Sequence, residues 1–425
     1  MKKLKKVVLL VLMFTFSVSV FACSGSETEM TTTGPTTETP TTETQTTEAP
    51  ERTVIAGIEE LVELSRVDTH RENTIYLDGD QVFTKGDNRV GQLGDGTFDR
   101  KDTPVNITSH FNLEANDQII SVSLGEYHGF ALSRNGHVYT WGHNANGKLG
   151  IEDTPENENV PIDITDNFEL ADDELIIFIE AGRDNNAVIT NYGRVLTFGV
   201  NSYGQLGIGE ITNSWEDTIF MPQDITDAFE LGDDYIVKVE LGNDHSMALS
   251  HQGQVFVWGN NGLGQLGTDD QELLIPTNIT EIFNLGDDQI IDVDLGYNHS
   301  GVLSASGRVF VFGDNNFGQL GIGSTPVSTT EPVEITDEFS GSGDIYKLRF
   351  AHHSSAVIAE NNIYVFGYNY YYQLGLEDYA SLSTPTVLVN STFEDKKVVD
   401  IFIAKKTFTI IYEDEVIESR DYISR

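Results

Sequence analysis

The chain has 425 residues and a formal net charge of −42, from 25 basic and 67 acidic residues. Four of the lysines lie in residues 1–22, so the rest of the chain carries −46, from 21 basic and 67 acidic residues. Nucleic-acid binding needs a basic surface, so this composition argues against a nucleic-acid partner. The acidity is typical of a solubilising surface, with a cationic ligand as the alternative.

Residues 1–22 have the features of a secretory signal. A basic start, Met1–Lys6, precedes an apolar stretch that ends at Ala22 and is too short for a stable membrane-spanning helix. The small residue directly before Cys23 resembles the signal of bacterial lipoproteins, which implies cleavage there and lipidation of Cys23. As the only cysteine, Cys23 cannot form an internal disulfide. An incidental cysteine beside an ordinary signal peptide is the alternative.

The next segment predicts a tether. Residues 24–50 are rich in Thr, Pro and Glu, a composition that cannot bury a core, so we expect residues 23–50 to form a lipidated, disordered tether. Lipid and tether together predict attachment to the outer face of the bacterial cytoplasmic membrane, with the lipid as the sole membrane contact. The folded domain is then predicted to span residues 51–425.

The predicted folded domain contains several copies of one sequence segment, which we call the phrase. Residues 136–150 recur at 193–207, 253–267 and 307–321, with looser copies at 80–94 and 361–375. Each unit of 50 to 60 residues contains four short apolar runs bounded by Gly and Asn, which are typical of β-strands. Four strands per unit predict an all-β propeller built from four-stranded antiparallel blades.

The phrase also identifies a family resemblance. Residues 242–249, Gly-Asn-Asp-His-Ser-Met-Ala-Leu, and the phrase ending Gly-Gln-Leu-Gly resemble the regulator of chromosome condensation repeat family. The resemblance covers residues 51–425 and implies a seven-bladed propeller. Residues 398–418 supply three strands of a last blade, and we expect residues 52–56 to add its fourth and close the ring.

The repeated histidines predict structure rather than chemistry. His128, His245 and His299 share one repeat position, and His353 is a possible fourth. Equivalent positions lie around a ring and cannot converge on one metal ion, so we expect each imidazole to bond within its own blade. Adjacent His and Ser on a strand point to opposite faces, which excludes a nucleophile with its base. The repeated Asp pairs at 172–173, 233–234 and 287–288 also lack calcium-loop spacing, so the sequence predicts no metal, cofactor or catalytic residue.

The functional prediction rests on residues that differ between copies of the repeat. Aromatic residues occupy variable loops, and such side chains are frequent anchors of protein interfaces. We therefore predict a monomeric, non-catalytic scaffold that binds a protein partner. Binding of carbohydrate or cell-wall material through the same rings is one alternative, and a polysaccharide-acting enzyme is another. The predicted partner-binding residues are Tyr127, Tyr203, Trp215, Tyr297, Phe317, Tyr368, Tyr370, Tyr371 and Tyr372.

Overall fold

A computed structural model describes residues 54–58, 65–151, 157–212, 219–376, 378–388, 398–404, 407–412 and 417–421. The predicted signal peptide, Cys23, the tether and Trp215 lie outside these residues. No helix within the described ranges is long and apolar enough to cross a membrane.

The described strands form six four-stranded antiparallel sheets, each with its strands hydrogen-bonded in chain order. These strands are β1 (Val67–His70), β2 (Asn73–Asp78), β3 (Gln81–Gly86), β4 (Lys101–Asn106), β5 (Ile119–Leu124), β6 (His128–Ser133), β7 (Val138–Gly142), β8 (Glu158–Asp163), β9 (Ile176–Ala181), β10 (Asn185–Thr190), β11 (Val195–Gly199), β12 (Gln223–Asp224), β13 (Ile236–Leu241), β14 (His245–Ser250), β15 (Val255–Asn260), β16 (Glu272–Asn278), β17 (Ile290–Leu295), β18 (His299–Ser304), β19 (Val309–Asp314), β20 (Ser328–Glu334), β21 (Ile345–Ala351), β22 (Ser354–Ala359), β23 (Ile363–Gly367) and β24 (Leu382–Val387). A further sheet contains β25 (Val398–Ile403), β26 (Thr407–Tyr412) and β27 (Ile417–Asp421). The predicted propeller of four-stranded antiparallel blades is confirmed.

The expected number of complete blades is wrong. Seven four-stranded sheets were expected, and the structure has six. The seventh sheet, β25–β27, has three strands in the described part of the chain. The predicted closing strand is not formed by residues 54–56. Instead, the Ile55 amide donates to the Asn191 carbonyl oxygen at 2.8 Å, beside the turn between β10 and β11.

The physical reason for this placement is an apolar site beneath that turn. Ile58 is completely buried in a cluster that includes Ile189 and Val195, and Ile55 packs against the same cluster. Burying an isoleucine side chain contributes about 1.5–3 kcal/mol, and the apolar side chains around β10 and β11 offer that burial. The segment therefore packs on the sheet of β9–β12.

The middle strands explain why the apolar runs are continuous rather than alternating. Every residue of β6, β10, β14, β18 and β22 is buried, because neighbouring blades cover both faces of these strands. Short 3-10 turns follow the fourth strands, and Phe168 and Phe283 in two of them are buried in the core. Packing between blades thus accounts for the repeated letters of the phrase.

Candidate functional site

The repeated histidines join neighbouring blades. His128 Nε2 lies 2.8 Å from Asn186 Oδ1, and His299 Nε2 lies 2.8 Å from Ser355 Oγ, in each case on the next sheet. The prediction that each histidine bonds within its own blade is therefore wrong. The ring reaches across because a glycine opposite it, such as Gly296, leaves the space that a Cβ would fill at 1.9 Å from the imidazole.

The side chain that meets each histidine is also hydrogen-bonded to the blade that carries the histidine. Ser355 Oγ donates to the Gln319 carbonyl oxygen at 2.7 Å, so it accepts from the His299 Nε2–H group. Burial lowers the pKa of His128 to about 4 and that of His245 to about 3, which keeps both imidazoles neutral near pH 7. Their role is to connect neighbouring blades of the propeller. His353 does not take part, because Ser354 occupies the equivalent position opposite Gly367.

The loops between first and second strands surround the mouth of a central channel. We call the residues at one shared position of these loops the rim. Its amide groups form a chain of hydrogen bonds, with Asn243 donating to the Tyr297 carbonyl oxygen at 3.0 Å and Tyr297 donating to that of His352 at 2.8 Å. The described rim residues are Arg71, Glu126, Arg183, Asn243, Tyr297 and His352.

One side of the rim is ionic. The Glu126 carboxylate is buried, with its side chain 2% exposed, and pairs with the guanidinium groups of both Arg71 and Arg183. Arg183 also donates to Asn243 Oδ1 at 2.7 Å. Two bases on one buried acid satisfy the charge that burial would otherwise make costly, so these side chains stabilise one another.

The other side of the rim is aromatic. The ring centroids of Tyr297 and His352 are 4.4 Å apart, and those of His352 and His70 are 5.1 Å apart. Burial lowers the pKa of His70 well below its usual value, and the charges of His352 and Arg71 add to the shift. His70 is therefore neutral near pH 7.

The aromatic contacts continue outward from the mouth. His353 lies 5.5 Å from Tyr297 and 4.9 Å from Phe317, and Phe317 lies 4.9 Å from Tyr368, measured between ring centroids. Tyr368 then contacts Tyr370 and Tyr371 at 6.4 and 6.2 Å. We call this continuous surface the aromatic belt. It consists of His70, Tyr297, Phe317, His352, His353, Tyr368, Tyr370, Tyr371, Tyr372 and Tyr379.

The outer end of the belt is open to solvent. Tyr370 and Tyr379 are 61% and 62% exposed, with their ring centroids 6.3 Å apart. A Tyr side chain offers a large apolar area and a hydroxyl at low entropic cost, which suits it to macromolecular contacts. The belt thus ends in a patch that a partner can reach without moving the core.

Tyr372 departs from the repeat at a glycine position. It occupies the position of the third glycine of the phrase, with a left-handed φ of 64°. In the preceding blade a Cβ at the equivalent Gly318 would lie 2.5 Å from Ser383 Cα in the fourth strand of the next sheet. Among the described residues, the sheet of β25–β27 has three strands and none equivalent to β24.

The structure brings together most of the predicted partner-binding residues. Six of the nine lie in the belt, and Tyr127 adjoins it through Arg71, whose guanidinium donates to the Tyr127 hydroxyl at 3.1 Å. Tyr203 is 44% exposed, and the structure gives it no contact with the belt, while Trp215 lies outside the described residues. Sequence reasoning missed the belt residues His70, His352, His353 and Tyr379.

The missed rim residues carry a usable signal. His352 stands at the same place in its repeat as Tyr297, directly after the residue that closes the first strand. Aligning the loops by that position would have placed both side chains around one mouth.

The described residues contain no group of three or more His, Cys, Asp or Glu that could hold a metal ion.

The family follows from the sequence match. Residues 81–417 match the RCC1-like domain. The chain belongs to the RCC1-like domain family. It is 30% identical over 317 residues to the human probable E3 ubiquitin-protein ligase HERC6, a match covering 73% of this chain and 29% of that protein. It is 28% identical over 312 residues to the ultraviolet-B receptor UVR8 of Arabidopsis thaliana, covering 73% of this chain and 66% of that protein. This RCC1-like chain therefore matches less than two thirds of either relative.

Solved structures agree on the fold of this RCC1-like domain. The crystal structure of Kap60 bound to yeast RCC1 (Prp20) contains a chain with a TM-score of 0.68 and 19% identity, covering 91% of this chain and 86% of that chain. The crystal structure of human WBSCR16 gives a TM-score of 0.66 at 21% identity, covering 80% and 84%.

Proposed function

We propose that this RCC1-like domain is a non-catalytic scaffold that binds a protein partner through the aromatic belt. The observation that carries the proposal is the continuity of the belt from the channel mouth to the exposed rings of Tyr370 and Tyr379. Fully buried aromatic anchors inside a polar rim are the usual energetic centre of a protein interface. The high acidic content of the chain is in keeping with a polar border around such an interface.

The family supports a protein ligand over a nucleic acid. Yeast RCC1 (Prp20) is bound to Kap60 in one of the similar structures, and its fold is the fold of this chain. The net charge of −42 disfavours phosphate-rich partners. An RCC1-like domain that contacts a protein through its loops is the interpretation in keeping with both observations.

We further propose that the domain is displayed on the outer face of a bacterial cytoplasmic membrane. The sequence before Cys23 supports lipidation at that thiol, and the Thr-rich segment after it supports a solvated tether. Replacing Cys23 with Ser should move the chain from the membrane fraction to the soluble secreted fraction. Retention of Cys23→Ser in the membrane fraction would contradict the anchor.

The belt is tested by capture from a cell-surface extract. The immobilised full chain is compared with Tyr370→Ala/Tyr379→Ala and with a control, Phe98→Ala, which removes a half-exposed ring outside the belt. We expect wild type and the control to retain the same protein, identified by mass spectrometry, and the double variant to lose at least tenfold of it. Anchor residues of protein interfaces contribute about 2 kcal/mol or more, which corresponds to such a loss.

Two results would contradict this assignment. Equal capture by the double variant and the wild type would show that the partner is bound elsewhere. A glycan array on which the wild type binds a saccharide and the double variant does not would instead assign the exposed rings to carbohydrate stacking.

A further inference from the structure

The first strands of the sheets place one side chain each in a ring around the central channel. Alternate residues of a strand face opposite sides, and the strand register puts these side chains at one level. We call this set the channel ring. Its members are Asp68, Ser123, Glu180, Glu240, Asp294, Arg349 and Phe402.

The channel ring encloses a cavity of about 320 Å³. The cavity opens toward the rim, where Arg183, Tyr297 and His352 line its upper wall. This volume lies at the lower end of the range of about 300–1,000 Å³ that small-molecule sites occupy. The cavity can therefore hold a small ligand or one inserted side chain.

Two basic groups beside the cavity, Lys238 and Arg349, are already engaged by acids. Lys238 Nζ lies 2.7 Å from Asp292 Oδ1 and 3.0 Å from Glu240 Oε1. The Arg349 guanidinium lies 2.7 Å from the Asp400 carboxylate and 3.1 Å from Asp294 Oδ2. An anion in the cavity would compete with these carboxylates, so the channel ring is poorly suited to anions.

Glu180 is an acid of the channel ring that takes no part in these ion pairs. No hydrogen-bond donor or base of the described residues lies within bonding distance of its carboxylate. Burial raises the pKa of Glu180 well above its usual value, and the carboxylates of Glu240 and Asp68 raise it further. Glu180 lines the cavity and is only partly buried, so a ligand in the cavity can reach its carboxylate.

The geometry favours an organic cation over a metal ion. The described residues contain no cluster of three or more acids or histidines that could coordinate one ion. An ammonium or guanidinium group carries several donors on a longer body, and it can reach Glu180 while its stem contacts apolar wall residues such as Phe178. Apolar and acidic walls together match this class of ligand.

We propose that the channel ring binds the head of an organic cation, an alkylammonium or guanidinium group, with Glu180 as its counter-ion. The group comes either from a free polyamine or from a Lys or Arg side chain of a partner. The site shares no residue with the exposed end of the belt, so its failure in a test is distinct from failure of the proposed protein interface.

The test measures binding of three probes to the full chain by titration calorimetry at about 0.15 M ionic strength. The probes are spermidine and the capped tripeptides Gly-Lys-Gly and Gly-Arg-Gly. The variant is Glu180→Gln, which keeps the shape and removes the charge. Because spermidine also binds acidic surfaces, the matched control is Glu281→Gln, which removes an exposed acid far from the cavity.

We expect at least one probe to bind wild type with a stoichiometry of one, and Glu180→Gln to weaken it at least tenfold. Glu281→Gln should change the affinity by less than about twofold, as expected of an exposed charge. Binding of spermidine alone indicates a free polyamine, and binding of a tripeptide indicates a partner side chain. The midpoint of thermal unfolding of Glu180→Gln should rise, which separates loss of binding from loss of folding.

The proposal is overturned if no probe binds, if binding has many weak equivalent sites, or if both substitutions weaken it equally. A comparison that needs no variant uses butylammonium and its uncharged isostere butanol on the wild type. Butylammonium should bind at least tenfold more tightly, and equal binding of the two would also reject the channel ring as a cation site.

Discussion

Two opposite substitutions at one repeat position test how the blades are held together. His299 is buried, donates to Ser355 on the next sheet at 2.8 Å and stacks on Phe350 with ring centroids 5.0 Å apart. Asn185 pairs with Gly199 as His299 pairs with Gly313, so the two side chains are equivalent. The Asn185 amide is buried without a hydrogen-bond partner among the described residues.

We expect His299→Asn to destabilise the chain and Asn185→His to stabilise it. The first change removes a buried hydrogen bond and an aromatic contact, each contributing about 1 kcal/mol, so the loss should be about 2 kcal/mol. The second change replaces an unsatisfied amide with a ring that can reach Ser246 Oγ. Gly182 leaves the space for that ring, as Gly296 does for His299, so the gain should be about 1–2 kcal/mol.

The measurement is urea unfolding of the full chain, followed by near-ultraviolet circular dichroism. The control is Asn185→His combined with Ser246→Ala, in which the gain should disappear because the acceptor is absent. If Asn185→His lowers the free energy of unfolding, or if its gain survives without the Ser246 hydroxyl, the inter-blade hydrogen bond is not what the histidine contributes.

Three further outcomes follow from burial and backbone geometry. Burial lowers the pKa of His245 from 6.5 to about 3, so the unfolded chain binds a proton at this residue before the folded chain does. The free energy of unfolding should therefore fall by ~1.4 kcal/mol per pH unit as the pH drops below 6.5. Urea unfolding of His245→Gln at a series of pH values should lack this contribution. Gly313→Ala should cost at least about 3 kcal/mol, because its Cβ would lie 2.5 Å from the Asn298 carbonyl oxygen, whereas Gly307→Ala, with nothing within 4 Å, should cost only about 1–2 kcal/mol in thermal unfolding. Ile58→Ala should cost about 2–5 kcal/mol by urea unfolding if the segment packs on β10 and β11, and no loss would refute that placement.

The repeat predicts the fold because its signals are local. Glycine-bounded apolar runs such as residues 138–142 determine strands, and a fixed period determines blades. Contacts between units are not local, which is why the partners of His128 and His299 were assigned to the wrong blade. The closing strand failed for a related reason, since Ile55 found an apolar site on a distant sheet that no local pattern encodes.

The candidate site was only partly predictable. The exceptional tyrosines at 368 and 370–372 were visible because they interrupt a constant phrase. His353 was mistaken for part of the structural histidine series, since the sequence alone does not show that Ser354 fills that position. The channel ring was invisible, because residues more than 50 positions apart become neighbours once the first strands line the channel.

The rim is chemically divided, and the division determines where a partner can bind at low cost. On the ionic side, Glu126 is already satisfied by Arg71 and Arg183, so covering it would replace good charge pairs with new ones and gain little. The aromatic side continues outward into the belt, whose exposed rings such as Tyr370 have apolar area to bury and no charge to desolvate. A partner therefore gains free energy mainly over the sheets of β17–β24, and its affinity should depend on salt less than the acidity of the whole chain suggests.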